Sequence, residues 1–273
     1  MEIKVLEKDD ARLRLLVRGV DVSFMNALRR LVVSEVPCMA IDDVVILENL
    51  SVLQDEMIAH RLGLVPLKTD LETYNLPEEC PCKSDFGCNL CRVTLALDVE
   101  AKEGSRTVYS GDLVSENPSI VPVSDRIPIA KLAKGQRIRL EAYARLGRGK
   151  NHAKWQSVSM CAYKYFPRIE IAKLCDACEK CVDVCPRKVF SKTDGKIEVR
   201  DVTACTLCQD CAEACPKDKP AIEVTWEKDA FILALESTGV LAPETIIQDA
   251  VTILDERLEE FEKQIKVTEN EKD

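Results

Sequence analysis

The chain has 273 residues, 46% hydrophobic and 31% charged, with 10 Gly and 12 Pro; this excludes a disordered, collagen-like or coiled-coil chain and, at roughly 100–200 residues per domain, predicts two or three domains. Its 38 basic against 47 acidic residues leave a net charge of −9, the wrong sign for a module that grips nucleic acid through phosphate neutralisation, so no direct nucleic-acid contact is expected. No apolar run approaches the ~18 residues of a membrane span, and the charged N-terminus lacks the apolar core of a signal peptide, which predicts a cytoplasmic protein without membrane contact.

Glu2–Glu7 and Arg12–Arg18 alternate apolar and polar residues, which predicts a hairpin. Asp21 or Ser23 can cap a following helix in which Phe24, Ala27, Leu28, Leu31 and Val32 recur at steps of three and four; Pro37 ends it. From Val44 to about Lys164 the chain is strand-rich with many turn signals. It is interrupted by Cys80, Cys82, Cys88 and Cys91, and Pro77, Pro81 and Gly87 put that group on a loop. Four thiolates spaced C-x-C-x5-C-x2-C suit a closed tetrahedral zinc site; an iron–sulfur cluster and unligated thiols are the alternatives. The segment Arg145–Lys154 reads as a basic loop before Trp155, open to a nucleic-acid, acidic-protein or purely solvated reading.

Cysteine carries the most information. There are 14, against 2 His. Reduced thiols at regular spacing in a cytosolic chain point to metal. Cys175, Cys178, Cys181 and Cys185, then Pro186, repeat 30 residues later as Cys205, Cys208, Cys211 and Cys215, then Pro216. C-x2-C-x2-C-x3-C-P is the spacing of ferredoxins with two [4Fe–4S] clusters, in which the fourth cysteine of each run ligates the other cluster. One cluster then takes Cys175, Cys178, Cys181 and Cys215, and the second Cys205, Cys208, Cys211 and Cys185. A pair of zinc sites is the alternative. Lys196–Val199 and Ala221–Thr225 read as short strands, and Val182–Cys185 and Ala212–Cys215 as single helical turns, within a ferredoxin-like module at Arg168–Thr225. Cys38 and Cys161 have apolar neighbours and read as buried thiols.

Pro243 opens a last helix with Ile246, Ile247, Ala250, Val251, Leu254, Leu258, Phe261 and Ile265 on an apolar stripe, which either crosses a domain or packs on a partner helix. The tail from Thr268 is charged. His60 and His152 have no partners in a hydrolytic pattern, and there is no Walker loop and no G-x-G-x-x-G, so no catalytic residue is expected.

Several stretches outside the cysteines resemble one family. Asn26-Ala-Leu-Arg-Arg-Leu with Ser34-Glu-Val-Pro37 and Ala40-Ile41 is similar to the N-terminal helix of RNA polymerase alpha-like subunits. His60–Leu67, Gly149–Trp155 and Phe231–Leu254, the last with Glu236-Ser-Thr-Gly239 and Pro243-Glu244, resemble further segments of that family in order. The likeness is to the archaeal form of these alpha-like subunits, some members of which carry a ferredoxin-like insertion.

The resemblance implies an α+β fold. A dimerisation domain is formed by both chain ends, 1–40 and 226–267. An inserted strand-rich domain spans 41–167, the two-cluster module 168–225, and a flexible tail 268–273. It implies two [4Fe–4S] clusters, and one Zn2+ at Cys80–Cys91. It also implies a heterodimer with the small alpha-like subunit L, made through Leu28, Leu31, Ile247, Val251, Leu254 and Leu258, on which the other small and large subunits assemble. The chain would then be a non-catalytic part of a nucleotidyltransferase complex, its clusters structural or regulatory. A ferredoxin-type electron-transfer subunit of a redox complex is the alternative suggested by the clusters alone.

Overall fold

The computed structural model describes residues 1–84, 86–217 and 219–270, without the side chains of 267–270. In chain order the elements are β1 (Glu2–Lys8), β2 (Arg12–Arg18), α1 (Val22–Ser34), β3 (Pro37–Asn49), α2 (Asp55–Gly63), β4 (Val93–Glu100), β5 (Arg106–Tyr109), β6 (Val114–Ser115), β7 (Pro128–Leu132), β8 (Arg137–Arg148), β9 (Val158–Ile171), α3 (Lys180–Val184), β10 (Phe190–Thr193), β11 (Lys196–Val199), α4 (Asp210–Glu213), β12 (Ile222–Ser237) and α5 (Pro243–Asn270). The fold is α+β. Compactness groups the chain into two units: residues 1–8, 13–27 and 162–234, and residues 9–12, 28–161 and 235 onward.

The first unit is built on a sheet of order β1-β2-β12-β9. The expected hairpin is present, running from Glu2↔Arg18 to Lys8↔Leu13. Its alternation is physical: Leu13, Leu15 and Val17 are buried at 9% exposure or less, while the residues between them are more exposed. Ala221–Thr225 is not a short module strand. Ile222 opens the 16-residue β12, and β9 crosses the other expected boundary at 167/168. The cysteine region therefore grows from the ends of two neighbouring sheet strands, which run on through both expected boundaries. The helical turns start two residues earlier than expected, at Lys180 and Asp210.

The second unit holds a sheet of order β3-β8-β4-β6 and the pair β5-β7. β8 pairs with β3 from Pro37↔Arg148 to Asn49↔Ile138, and with β4 on its other side. Leu95, Leu97, Ile138, Leu140, Ala142 and Ala144 on these strands are at most 1% exposed and form the centre of the core. The short helix α2 contributes Ile58 and Leu62, one turn apart and fully buried. Two apolar positions make too weak a periodicity for this helix to stand out among the strand signals.

α1 starts where the capping residues suggest. Of the two candidates, Asp21 is the cap: its Oδ1 accepts the Phe24 N–H at 2.8 Å. The helix ends at Ser34, before Pro37. α5 continues to Asn270, so residues 268–270 of the expected tail are helical; 271–273 lie outside the described residues. Among those described, no helix is long and apolar enough to cross a membrane.

Candidate metal and cluster centres

The Cys80–Cys91 loop brings its four thiols together. All four Sγ atoms lie within 4.8 Å of one another, with Cys80–Cys88 at 3.7 Å, Cys82–Cys91 at 3.9 Å and Cys88–Cys91 at 3.9 Å. Four sulfurs at Zn–S ≈ 2.3 Å on a tetrahedron stand about 3.8 Å apart, so the spacing fits a closed zinc site. Local backbone geometry makes the cage. The N–H groups of Cys91 and Arg92 donate to the Cys88 carbonyl, each at 2.9 Å. That turn aims the Cys88 N–H at the Cys91 Sγ at 3.1 Å and the Leu90 N–H at the Cys88 Sγ at 3.4 Å. Gly87 has φ +75°, and a Cβ there would sit 3.1 Å from the Cys91 Sγ. Cys80 and Cys91 are buried, and Cys82 is exposed. The thiols split: a backbone hydrogen bond at Ser84, then the Cys80 thiol, lower Cys82 to about 7, whereas Cys91 is raised, first by burial; a bound cation would favour the thiolate at both.

The eight cysteines of the repeat fold as a repeat. In the first run Ala177 and Glu179 have φ of 55° and 68°; in the second, Leu207 and Gln209 have 62° and 68°. Each run turns left-handed at the same two places, and each then starts a helical turn. Val182 donates to the Glu179 carbonyl at 2.8 Å, as Ala212 does to that of Gln209 at 2.8 Å. The first cysteines are pinned alike: Cys175 N–H to the Ala172 carbonyl at 3.1 Å, Cys205 N–H to that of Val202 at 3.2 Å. Between the runs, β10 and β11 close a hairpin through Asp194 and Gly195, both at positive φ.

Cys185 leaves its own run and lines one small pocket with Cys205, Cys208 and Cys211, walled by Phe190 and Val224. Burial, followed by the thiols of Cys205, Cys208 and Cys185, pushes Cys211 up to about 11. Alone, the pocket disfavours a thiolate there; a cationic iron centre reverses that balance. The donor set and the cavity fit an iron–sulfur cluster.

Other expected residues fall differently. Leu28 and Leu31, expected on a partner-facing stripe, are 5% and 6% exposed. At these two positions the stripe is already buried within this chain. On α5, Ile246 and Ala250 are fully buried, whereas Val251, Leu258, Phe261 and Ile265 are 46%, 57%, 62% and 43% exposed; Ile247 and Leu254 are half-buried. Cys38 is buried and pushed up by burial to about 12. Cys161 is half-buried rather than buried.

The basic segment is less of a loop than its composition suggests: Arg145–Arg148 belong to β8, where Ala144 and Leu146 are core. Its cations have partners. Arg145 and Lys154 both pair with Asp42, Arg148 with Glu79 at 2.8 Å, and Lys150 with Glu35 at 3.0 Å. Two glycines let it close. A Cβ on Gly147 would stand 2.4 Å from the Trp155 ring, and one on Gly149 2.3 Å from the Val33 carbonyl oxygen. Sequence reasoning missed the acceptors Asp42 and Glu35, whose pairing across the chain leaves no local pattern. It also missed Lys164 of β9, whose Nζ donates to the carbonyls of Thr203 and Cys205.

Comparison with known proteins adds the family. Residues 40–165 match the RNA polymerase Rpb3/RpoA insert domain, and residues 174–219 a 4Fe-4S dicluster domain. The chain is 45% identical over 263 residues to a DNA-directed RNA polymerase subunit Rpo3 of Methanothermobacter thermautotrophicus, covering 95% of this chain and 97% of the relative. It is 42% identical over 260 residues to that of Methanosphaera stadtmanae (94% and 96%), and 43% over 265 residues to that of Archaeoglobus fulgidus (97% and 98%).

Proposed function

The chain belongs to the archaeal DNA-directed RNA polymerase subunit Rpo3 family, and from that premise we propose that it is a non-catalytic assembly subunit that pairs with the small alpha-like subunit L. The pair is the platform on which the large catalytic subunits dock. Both chain ends, 1–40 and 226–267, make the dimerisation domain; 41–167 is the insert, and 168–225 the cluster module.

One observation carries the pairing. Ile247, Val251, Leu254, Leu258, Phe261 and Ile265 recur on α5 at alternating steps of four and three, a heptad seam. From Asp255 through Lys266 every side chain is exposed, and among the described residues Leu258 and Phe261 of the seam face solvent at 57% and 62% exposure. Such a stripe is stabilised by a partner helix.

Cys175, Cys178, Cys181 and Cys215 hold one [4Fe–4S] cluster, and Cys205, Cys208, Cys211 and Cys185 the other. Each supplies the iron–thiolate cross-links that a module of this size needs in place of a large core. What supports that role is the apolar cluster around Val189, Phe190, Ile197, Ile222 and Val224, in which Cys181, Cys205 and Cys211 are themselves buried members. Cys80, Cys82, Cys88 and Cys91 hold Zn2+, which staples a loop that has little apolar packing of its own.

The test is anaerobic co-expression with the small alpha-like subunit. A stable heterodimer that recruits the large subunits is expected. A chain that purifies alone, at concentrations where polymerase assembles, overturns the reading.

A further inference from the structure

The geometry points to Lys164 as a positioning cation for the cluster held by Cys205, Cys208, Cys211 and Cys185, raising its reduction potential above that of the other cluster. The inference rests on the ligand assignment proposed above.

Lys164 lies on β9, outside the cysteine runs. Its Nζ donates to the Thr203 carbonyl at 2.7 Å and to the Cys205 carbonyl at 2.5 Å. Both contacts are part-buried, and Cys205 is only 8% exposed. The ammonium is thus fixed on the backbone of a ligand residue and is half-buried, so its charge is screened less than that of a fully exposed lysine. Its direct contacts are carbonyl dipoles, which orient it without cancelling it. Around it Arg14 is already paired with Glu7 at 3.1 Å, and Arg187 stands against Asp201, so Lys164 is the cation of this flank that donates to carbonyls and to no carboxylate among the described residues.

The first run differs: its backbone repeats that of the second, but among the described residues the cations that form ion pairs there are matched by carboxylates. Lys217 pairs with Asp176 at 2.8 Å and Lys192 with Glu179 at 2.6 Å, both pairs substantially exposed. The two sites therefore share ligands and backbone path and differ in the field around them, which is one of the levers that set the potential of an iron–sulfur centre.

Reduction adds one electron to a cluster, taking it from the 2+ to the 1+ core state. No proton or ligand is exchanged. A fixed cation beside Cys205 stabilises the extra negative charge, so this cluster accepts its electron first.

The experiment uses the full chain bound to its small alpha-like partner, loaded anaerobically, with iron and sulfide counted before any titration. Dithionite supplies electrons through viologen mediators, and electron paramagnetic resonance follows both midpoints; Cys185→Ser assigns them. In Lys164→Gln the midpoint of the assigned cluster is expected to fall by about 59 mV, a tenfold change in a one-electron equilibrium. The other midpoint stays, and Lys164→Arg stays near wild type. Unchanged midpoints in Lys164→Gln, or equal shifts in both, overturn the inference. So does loss of that cluster's iron in Lys164→Gln with retention in Lys164→Arg, which makes the lysine a strap and not a tuning charge. A wild-type pair with no iron overturns the ligand assignment instead, so the two failures are distinct.

Discussion

Glu35, just past the end of α1, and Arg257, in the middle of α5, meet at 2.8 Å although 222 residues separate them. Lys150 approaches the same carboxylate oxygen at 3.0 Å. Glu35 is only 10% exposed. Burial pushes its pKa up, but the hydrogen bonds and charges of Arg257 and Lys150 outweigh that and hold it below the ordinary glutamate value of 4.5. One carboxylate thus ties the terminal helix and the Gly149–Trp155 segment to the end of α1.

The pair has a pH signature. A depressed carboxylate contributes stability that is complete above its unfolded pKa and lost as pH falls through the lower folded value. Glu35→Gln should cost about 1 kcal/mol at pH 7, since both cations are half-exposed and screened. The cost should vanish at pH values below the folded pKa of Glu35. Urea unfolding of both chains at pH 7 and under acid conditions measures this; a pH-independent difference would make it packing rather than charge.

Gly147 and Gly149 should resist even alanine. A Cβ at Gly147 overlaps Trp155, whose Nε1 is already committed to the Arg145 carbonyl at 3.2 Å. Overpacking of this kind costs about 1–3 kcal/mol. Gly147→Ala should lower the thermal midpoint and shift Trp155 fluorescence, while Gly135→Ala, where no atom lies within 4 Å of the added carbon, should leave Trp155 unchanged.

The proposed crossed ligation predicts a crossed phenotype. Cys185→Ser should impair the cluster of Cys205, Cys208 and Cys211, and Cys215→Ser the cluster of Cys175, Cys178 and Cys181. Spectroscopy of the two variants side by side decides, and loss of the cluster nearest in sequence would contradict the exchange.

At the Cys80–Cys91 loop, Cys88→Ser should remove bound zinc and leave the iron content intact. The metal-free loop should be cleaved faster by protease, because its order comes from the metal. Elemental analysis with limited proteolysis reads both; iron at this loop in the wild type would favour a third cluster.

What could be read from residues alone was whatever is written in local spacing. The two C-x2-C-x2-C-x3-C-P runs, the β1–β2 alternation and the Asp21 cap each specify structure within a few residues. Leu28 and Leu31 show the limit: a stripe at steps of three and four says a face is covered, but not by which chain. The same pattern on α5 is open at Val251 and Leu258 and covered at Ile246 and Ala250. What could not be read at the expected boundaries 167/168 and 225/226 was strand continuity: β9 and β12 run through them. Lys164, Asp42 and Glu35 are single charged residues whose partners lie far along the chain, and no spacing announces them.

The open seam of α5 is the proposed binding site of the small alpha-like subunit. The most direct measurement is co-elution of that subunit with a Val251→Asp, Leu258→Asp chain, with iron content and circular dichroism as controls for folding. The expected result is a folded, cluster-loaded chain that no longer retains its partner. A doubly substituted chain that still co-elutes with the partner would contradict it.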